Sequence, residues 1–468
     1  MDVHHNCVGN AYIALRDRHM VPFIENMYLD DGSISPDRSS PPYVALLNES
    51  RRLARRWKRE CVPERLTLKQ ALDHFLPKKG AVYRTAYKSL INKPLEYSDS
   101  FVSMFVKDEK VPNIAKPPRA IQYRSARYNL ELGRFLIPVE DCYGSGCFSP
   151  VGERVFSKGL NRASLSILFS KVLSKFKDPV VIENDYSRYD SRINRALLMT
   201  EHAFYLELFG LHRKLAKLLN WQLNNRGRHR DGVKYRTKGR RMSGDYNTGL
   251  GNSILNLLIL RMWMFESGIE KYHLIVDGDD SLLVIERGDV SRVFPDYSYV
   301  MFGIPAETKI VEPYGCSFCQ MFWDGHWFVS DFRRRLHRLS YVIRPSPPVP
   351  YLNTIMLGTL YSEFAHEFLV LFAKDWLSRY ASHGFDIEAV DYRFSDSVAL
   401  SDIPLATVWD AARQHGFNPI WDAYFMRASL RKFVYKFAHG NRTFVELGRT
   451  NRISDFCKLA QDLYNHAA

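Results

Sequence analysis

Residues 273–285 read His-Leu-Ile-Val-Asp-Gly-Asp-Asp-Ser-Leu-Leu-Val-Ile, two apolar runs on either side of a Gly-Asp-Asp turn. Such runs are buried only as paired strands of a sheet, so the spacing predicts a rigid β-hairpin with an acidic tip. Adjacent carboxylates on a rigid tip can hold a divalent metal. Gly-Asp-Asp is also ordinary turn chemistry, and alone it decides nothing.

Two further motifs give the tip a context. Pro179-Val-Val-Ile182 runs into Glu183-Asn-Asp185-Tyr-Ser-Arg-Tyr-Asp190, a second apolar strand ending in acid. Asp185 at the strand end can complete a metal site with Asp279, because two-metal phosphoryl transfer needs carboxylates from different strands converging on ions about 3.5–4 Å apart. Asp190 is expected on the following turn, away from the metals. The other motif, Ser243-Gly244-Asp245-Tyr-Asn247-Thr248-Gly-Leu-Gly251-Asn252, opens a helical pattern through Ile254, Leu255, Leu258, Ile259 and Met262. A glycine-containing loop at a helix start lets a nucleic acid backbone approach closely. The same residues also suit a turn and helix cap.

Taken in order, Asp-x4-Asp, Ser-Gly-x3-Thr-x3-Asn and Gly-Asp-Asp resemble motifs A, B and C of viral RNA-dependent RNA polymerases. Residues 232–242 leading into Ser-Gly-Asp-x-Asn-Thr-x-x-Gly-Asn are similar to the tombusvirus-like polymerases of positive-strand RNA viruses. Residues 79–90 resemble the template-entry motif G, and 105–110, 116–122 and 127–134 resemble motif F. Residues 156–161 resemble a segment before motif A, and Ser317-Phe318-Cys319-Gln320 resembles motif E. The resemblance spans roughly residues 65 to 335. Asp277 departs from it, since relatives more often carry an uncharged residue there; the third acid either stays near the metals or raises a neighbour's pKa.

The resemblance implies an α+β right-hand polymerase with fingers, a palm built on an antiparallel sheet, and a helical thumb. Residues 1–178 would be an N-terminal strap and fingers, 179–193 palm, 194–242 a fingers insertion, 243–328 palm again, and 329–468 thumb. It implies RNA-directed RNA synthesis from NTPs on an RNA template. Asp185, Asp279 and Asp280 would hold two Mg²⁺ ions, with Mn²⁺ able to substitute. Lys107, Lys110 and Arg119 would clamp the triphosphate, and Asp190, Thr248 and Asn252 would read the ribose. Ser243, Gly244 and Arg241 would face the template and nascent pair, Cys319 and Gln320 the primer side, and Lys309 would protonate pyrophosphate. The implied setting is the host cytoplasm, within viral replication complexes, with membrane association only through other viral or host factors.

Composition agrees with a polyanionic partner. The chain has 468 residues, 46% hydrophobic, with 65 basic against 51 acidic side chains and a net charge of +14, and neutralising phosphates supplies much of the affinity for nucleic acid. The bases cluster: Arg226, Arg228, Arg230, Lys234, Arg236, Lys238, Arg240 and Arg241 precede motif B, and Arg51, Arg52, Arg55, Arg56, Lys58 and Arg59 mark a basic helix face. The seven cysteines fit no disulfide framework, as expected in a reducing compartment, and Cys316-x2-Cys319 lacks a second ligand pair for zinc.

No apolar run of 18 residues is free of charge, and the most apolar segment, Leu352 to Trp376, is expected as one amphipathic helix. The prolines at 345–350 predict a stiff linker before the thumb, Leu405 to His415 a helix capped by Gly416, and His5-Asn6-Cys7 with Arg16 and Arg18 a thumb-contacting strap. Two other readings compete. A reverse transcriptase shares the acid pair but would block the 2′-hydroxyl with an aromatic residue, where this chain has Asp190 and Asn252. A catalytically silent RNA-binding protein would need none of the acidic motifs.

Overall fold

In chain order the first elements are β1 (Asp2–Val3), α1 (Val8–Ala14), α2 (Pro41–Glu60), α3 (Leu68–Asn92), β2 (Val102–Val106), β3 (Lys110–Val111), β4 (Ala120–Tyr123) and α4 (Ala126–Asp141). The computed structural model describes residues 2–20, 40–107, 110–111, 116–142, 149–330, 348–362 and 367–384. Helix starts have local causes. Proline occupies the first turn of α2, where its missing N–H costs nothing. Thr67 and Gln70 close a capping box on α3, and Ser125 accepts from Tyr128 N at α4.

Helix α2 buries Leu46, Leu53, Ala54 and Trp57 and turns Arg51, Arg52, Arg55, Arg56, Lys58 and Arg59 outward. Glu49, Glu207 and Glu60 pair with three of these arginines, so the basic run is a solvent-facing helix surface. Just past α2, Cys61 meets Cys142 at the end of α4 in a disulfide with Cα atoms 6.1 Å apart. This corrects the expectation that no cysteines pair: the partners are 81 residues apart, and only the packing of two helix ends joins them.

The chain continues through α5 (Arg162–Leu173), β5 (Pro179–Tyr186), α6 (Tyr189–Arg192), α7 (Arg195–Leu208), α8 (Arg213–Trp221), β6 (Asn224–His229) and β7 (Lys234–Lys238). Then come α9 (Thr248–Glu266), β8 (Tyr272–Asp277), β9 (Asp280–Glu286), α10 (Tyr297–Phe302) and β10 (Ala306–Val311). A short meander, β11 (Ser317–Phe318), β12 (Met321–Trp323) and β13 (Phe328–Ser330), precedes α11 (Pro348–Ser362) and α12 (Glu367–Tyr380).

The central sheet has the order β10-β5-β9-β8 and is antiparallel throughout. Its two faces are buried separately. Leu274, Val276, Leu283 and Ile285 pack with Ile254, Leu255 and Leu258 of α9, while Ile275, Leu282 and Val284 pack with Phe169 of α5 and with Phe318, Trp323 and Phe328 of the meander. Alternation along each strand thus sends successive residues to different cores, and a one-residue slip would exchange both sets. The register is fixed by the apolar runs themselves.

The lateral sheet has the order β4-β2-β6-β7, with β2 and β6 parallel and the other pairs antiparallel. The N-terminal residues attach to it: β1 pairs with β3, Ala11 and Leu15 join the core of Val102, Met104, Val106 and Tyr235, and Asn6 accepts from Val106 N and pairs with His229 Nε2, both at 2.8 Å. The described contacts of this strap are with β3, the lateral sheet and α6. The apolar segment from Leu352 comprises two helices rather than one, tied by Trp376 Nε1 donating to Asn353 Oδ1 at 2.9 Å. The prolines at 345 and 347, the Leu405 to His415 helix and most of 329–468 lie outside the described residues. No described helix is long and apolar enough to cross a membrane.

Gly227 stands opposite Tyr235 in the β6–β7 register, and a Cβ there would lie 2.0 Å from the Tyr235 ring. Gly227→Ala is expected to destabilise the fold by about 1–3 kcal/mol through overpacking, measured by denaturant unfolding. Wild-type stability would mean the ring is not held against the strand.

Candidate active site

The acidic hairpin forms as its sequence predicts. β8 and β9 are joined by Gly278 and Asp279, with Asp277 opposite Asp280. Gly278 has φ +64° and Asp279 no positive φ, the glycine requirement of a II′ turn. Helix α9 holds the turn from below: Gly278 N donates to Ser253 Oγ at 2.8 Å, and Asn256 Nδ2 donates to the carbonyls of Gly278 and Asp279 at 3.2 and 3.1 Å. Sequence reasoning missed Ser253 and Asn256. Their signal is two polar residues three apart within an otherwise apolar helix run.

Three strand ends deliver acids to this tip. The β5–β9 ladder ends at Glu183↔Leu282, and continuing its register carries Asp185 to the level of Asp280. Asp279 is pushed up to about 6, first by loss of water, then by the charges of Asp190, Asp280 and Asp185. Asp279 and Asp280 keep exposed edges, so their desolvation is one-sided and the repulsion among acids is the part a cation would reverse. Asp280 is also raised, by desolvation first, against a hydrogen bond from the Cys319 thiol, with Asp277 and Asp185 adding repulsion. Asp277 thus lies near enough to Asp280 for its charge to raise that carboxyl's pKa. Asp190 sits on the turn helix α6 as expected, and its charge acts on Asp279, so it lies within electrostatic reach of the cluster.

Among the described residues no three acidic, histidine or cysteine side chains form a ready cage for an ion. The donor chemistry nevertheless fits a hard divalent cation: the groups are carboxylate oxygens, they repel one another, and a cation would stabilise their ionised forms.

The loop before α9 is bolted on both sides. Ser243 Oγ donates to Ala120 O at 2.9 Å and Gly244 N to Gln122 O at 2.8 Å; a Cβ on Gly244 would lie 2.7 Å from that carbonyl, so only glycine lets the loop meet β4. Asp245 is paired with buried Arg124 at 2.7 Å. Thr248 donates its hydroxyl to Met242 O at 2.9 Å, leaving its lone pairs as acceptors. Arg241 is 1% exposed, with Nε donating to Asn252 Oδ1 at 3.0 Å and the guanidinium paired to Glu201. That burial replaces the template contact expected of Arg241. Asn252 Nδ2 donates to Asp190 Oδ1 at 2.8 Å, so these two sugar-site candidates meet directly.

The remaining candidates lie around the rim. Arg119 is exposed, and its charge acts on Asp190; Lys107 is exposed with its backbone N bonded to Arg119 O at 2.8 Å. Lys110 lies on β3, and its side chain is outside the described residues. Lys309 lies on β10 and pairs with Glu307 at 2.9 Å. Cys319 and Gln320 form the β11–β12 turn with φ +49° and +66°. Arg226, Arg228, Lys234, Arg236 and Lys238 share the outward face of β6–β7, with Arg226↔Arg236 and Arg228↔Lys234 directly opposite. Like charges so paired are unfavourable without an anion.

Comparison with known proteins decides the family. Residues 2–323 match the family described as viral RNA dependent RNA polymerase. The chain belongs to this family. Over 335 residues, 68% of this chain, it is 34% identical to the RNA-directed RNA polymerase of Tobacco necrosis virus (strain D), covering 45% of that protein. It is 34% identical over 268 residues to that of Tomato bushy stunt virus (strain Cherry), covering 55% of this chain and 33% of the relative. With the polymerase of Carnation ringspot virus (isolate Lommel) the identity is 38% over 211 residues, 44% of this chain and 27% of the relative. The chain thus spans less than half the length of each of these polymerases. The tombusvirus-like resemblance holds, and neither competing reading gains support from these matches.

The raised Asp279 gives a pH signature. Its carboxyl ionises near 3.8 in the unfolded chain and about 6 in the fold, so ionisation costs stability as pH rises between those values, and the full cost applies above about 6. Thermal unfolding without metal should show this loss, Mg²⁺ should offset it at pH 7, and Asp279→Asn should diminish both effects. Equal Mg²⁺ responses in wild type and variant would take Asp279 out of the cation site.

Proposed function

We propose that this chain is an RNA-directed RNA polymerase replicating a positive-strand RNA virus genome, joining NTPs to an RNA 3′-hydroxyl. The observation that carries this reading is the meeting, at one hairpin tip, of acids from separate strands with the Asp190–Asn252 pair. On this reading the central sheet is the palm, the lateral sheet with residues 1–178 and 194–242 forms the fingers, and 329–468 is the thumb of a right-hand polymerase working in the host cytoplasm.

Asp185 and Asp279, with Asp280 assisting, would hold two Mg²⁺ ions. Bound there, the ions lower the pKa of the attacking hydroxyl and neutralise the departing pyrophosphate. Arg119, with Lys107 and Lys110, grips the triphosphate; the planar guanidinium matches phosphate oxygens in pairs. Asp190 spends one oxygen on Asn252, which leaves the other to accept from a ribose 2′-hydroxyl, while Thr248 offers an acceptor nearby. Lys309 would supply a proton to pyrophosphate. The outward cations of β6–β7 track RNA phosphates.

Asp279→Asn keeps the shape but removes the charge, so it is expected to abolish nucleotide incorporation on template RNA with Mg²⁺ while RNA binding persists. Wild-type turnover would remove Asp279 from the reaction.

Replacing Arg226, Arg228, Lys234 and Arg236 by Gln should weaken RNA binding. It should also flatten log affinity against log salt by about 0.7 for each phosphate of a single strand that is no longer neutralised. An unchanged slope assigns that face to solvent.

A further inference from the structure

Asn252 can help read a sugar only if its carboxamide faces the right way, and the structure contains a buried device that fixes this. A guanidinium only donates, so Arg241 Nε forces Oδ1 of Asn252 toward itself and Nδ2 toward Asp190, at 3.0 and 2.8 Å. Arg241 is in turn anchored by Glu201, which is fully buried on α7. The second oxygen of Glu201 accepts from Tyr205 Oη at 2.8 Å and from Asn247 Nδ2 at 2.6 Å, and Gln222 Nε2 donates to Asn247 Oδ1 at 2.8 Å. Room for the carboxylate is made at Gly251, where a Cβ would lie 2.0 Å from Glu201 Oε1.

We propose that Glu201 is a positioning residue for sugar selection: it holds Arg241, which sets the polarity of Asn252, which points Asp190 at the 2′-hydroxyl. This rests on the ribose-sensing role of Asp190 and Asn252 proposed above. Loosening Glu201 frees Arg241 to withdraw, and the carboxamide then has no donor enforcing its orientation. A flipped amide would turn its oxygen on the Asp190 carboxylate and break the pair.

The test is the ratio of kcat/KM for an NTP and its dNTP on primed RNA template, using the full chain. Glu201→Gln should lower that ratio about tenfold, and Tyr205→Phe, which removes one bond to Glu201 with little risk to folding, should lower it in the same direction by less. Asn252→Ala should lower it too, and Glu201→Gln added to Asn252→Ala should lower it no further, because the two act through one amide. A role in stability alone would reduce the turnover of both sugars and leave the ratio unmoved.

An unchanged ratio in both Glu201→Gln and Tyr205→Phe, with Asn252→Ala lowering it, overturns the positioning role and leaves the ribose reading standing. A further fall of the same size in the double variant also overturns it, because Glu201 would then act by another route. No change in Asn252→Ala removes the ribose reading itself.

Discussion

Two buried guanidinium–carboxylate pairs suspend the residues from 241 to 252 between the lateral sheet and α7. Removing a charge from water costs several kcal/mol, so a buried pair persists only where further hydrogen bonds complete it. Both pairs meet that condition. Arg124 also donates to Ser100 O and Asn225 Oδ1, and Glu201 also accepts from Tyr205 and Asn247. One pair fastens the loop to the lateral sheet through Asp245, the other to α7 through Arg241. Deleting one member strands the other charge in the interior, at about 3–5 kcal/mol.

The loop in turn places helix α9, and α9 places the acids. Asn252, Ser253 and Asn256 lie within its first turns: the first meets Asp190, and the other two grip the Gly278–Asp279 turn. A shift of α9 along its axis would therefore move the Asp190–Asn252 pair and the acidic tip together. The apolar residues between these polar ones resist such a shift, since Ile254, Leu255 and Leu258 are packed in the core of the central sheet. Packing of this helix therefore bears on the geometry of the acidic tip as well as on stability.

The parts of this arrangement visible in the sequence are the local ones. The hairpin was legible because β-branched runs flank a glycine turn, and the strand ending in Asp185 and the helix after Thr248 because apolar periodicity switches there. Arg241 was misplaced because it ends a basic run. Alternation within that run turns Arg226, Arg228, Lys234, Arg236 and Lys238 outward, but nothing local says that Arg241 turns inward to Glu201, forty residues away. Cys61 and Cys142 are hidden for the same reason. Leu352 to Trp376 has helical composition throughout, and Glu363, His366 and Glu367, which interrupt it, suit the polar face of one helix as well as the boundary of two. Long-range partners are chosen by packing, and single-chain periodicity does not record them.

Where local rules are broken, the break serves the acidic cluster. Among the described residues, four non-glycine side chains have positive φ; one, Cys319, bonds its thiol to Asp280 of the hairpin tip, and another, Arg188, caps the helix that carries Asp190. Such conformations cost of order 1–3 kcal/mol each and persist only when the surroundings compel them. At Arg188, φ is +54° and the residue caps α6, so the chain leaves strand β5 and turns back. Five residues of unbroken strand would carry Asp190 about 16 Å beyond Asp185; the turn instead sets both acids where each acts on Asp279. The strain at Arg188 is thus the local cost of bringing the carboxylates of Asp185 and Asp190 to bear on the same hairpin tip.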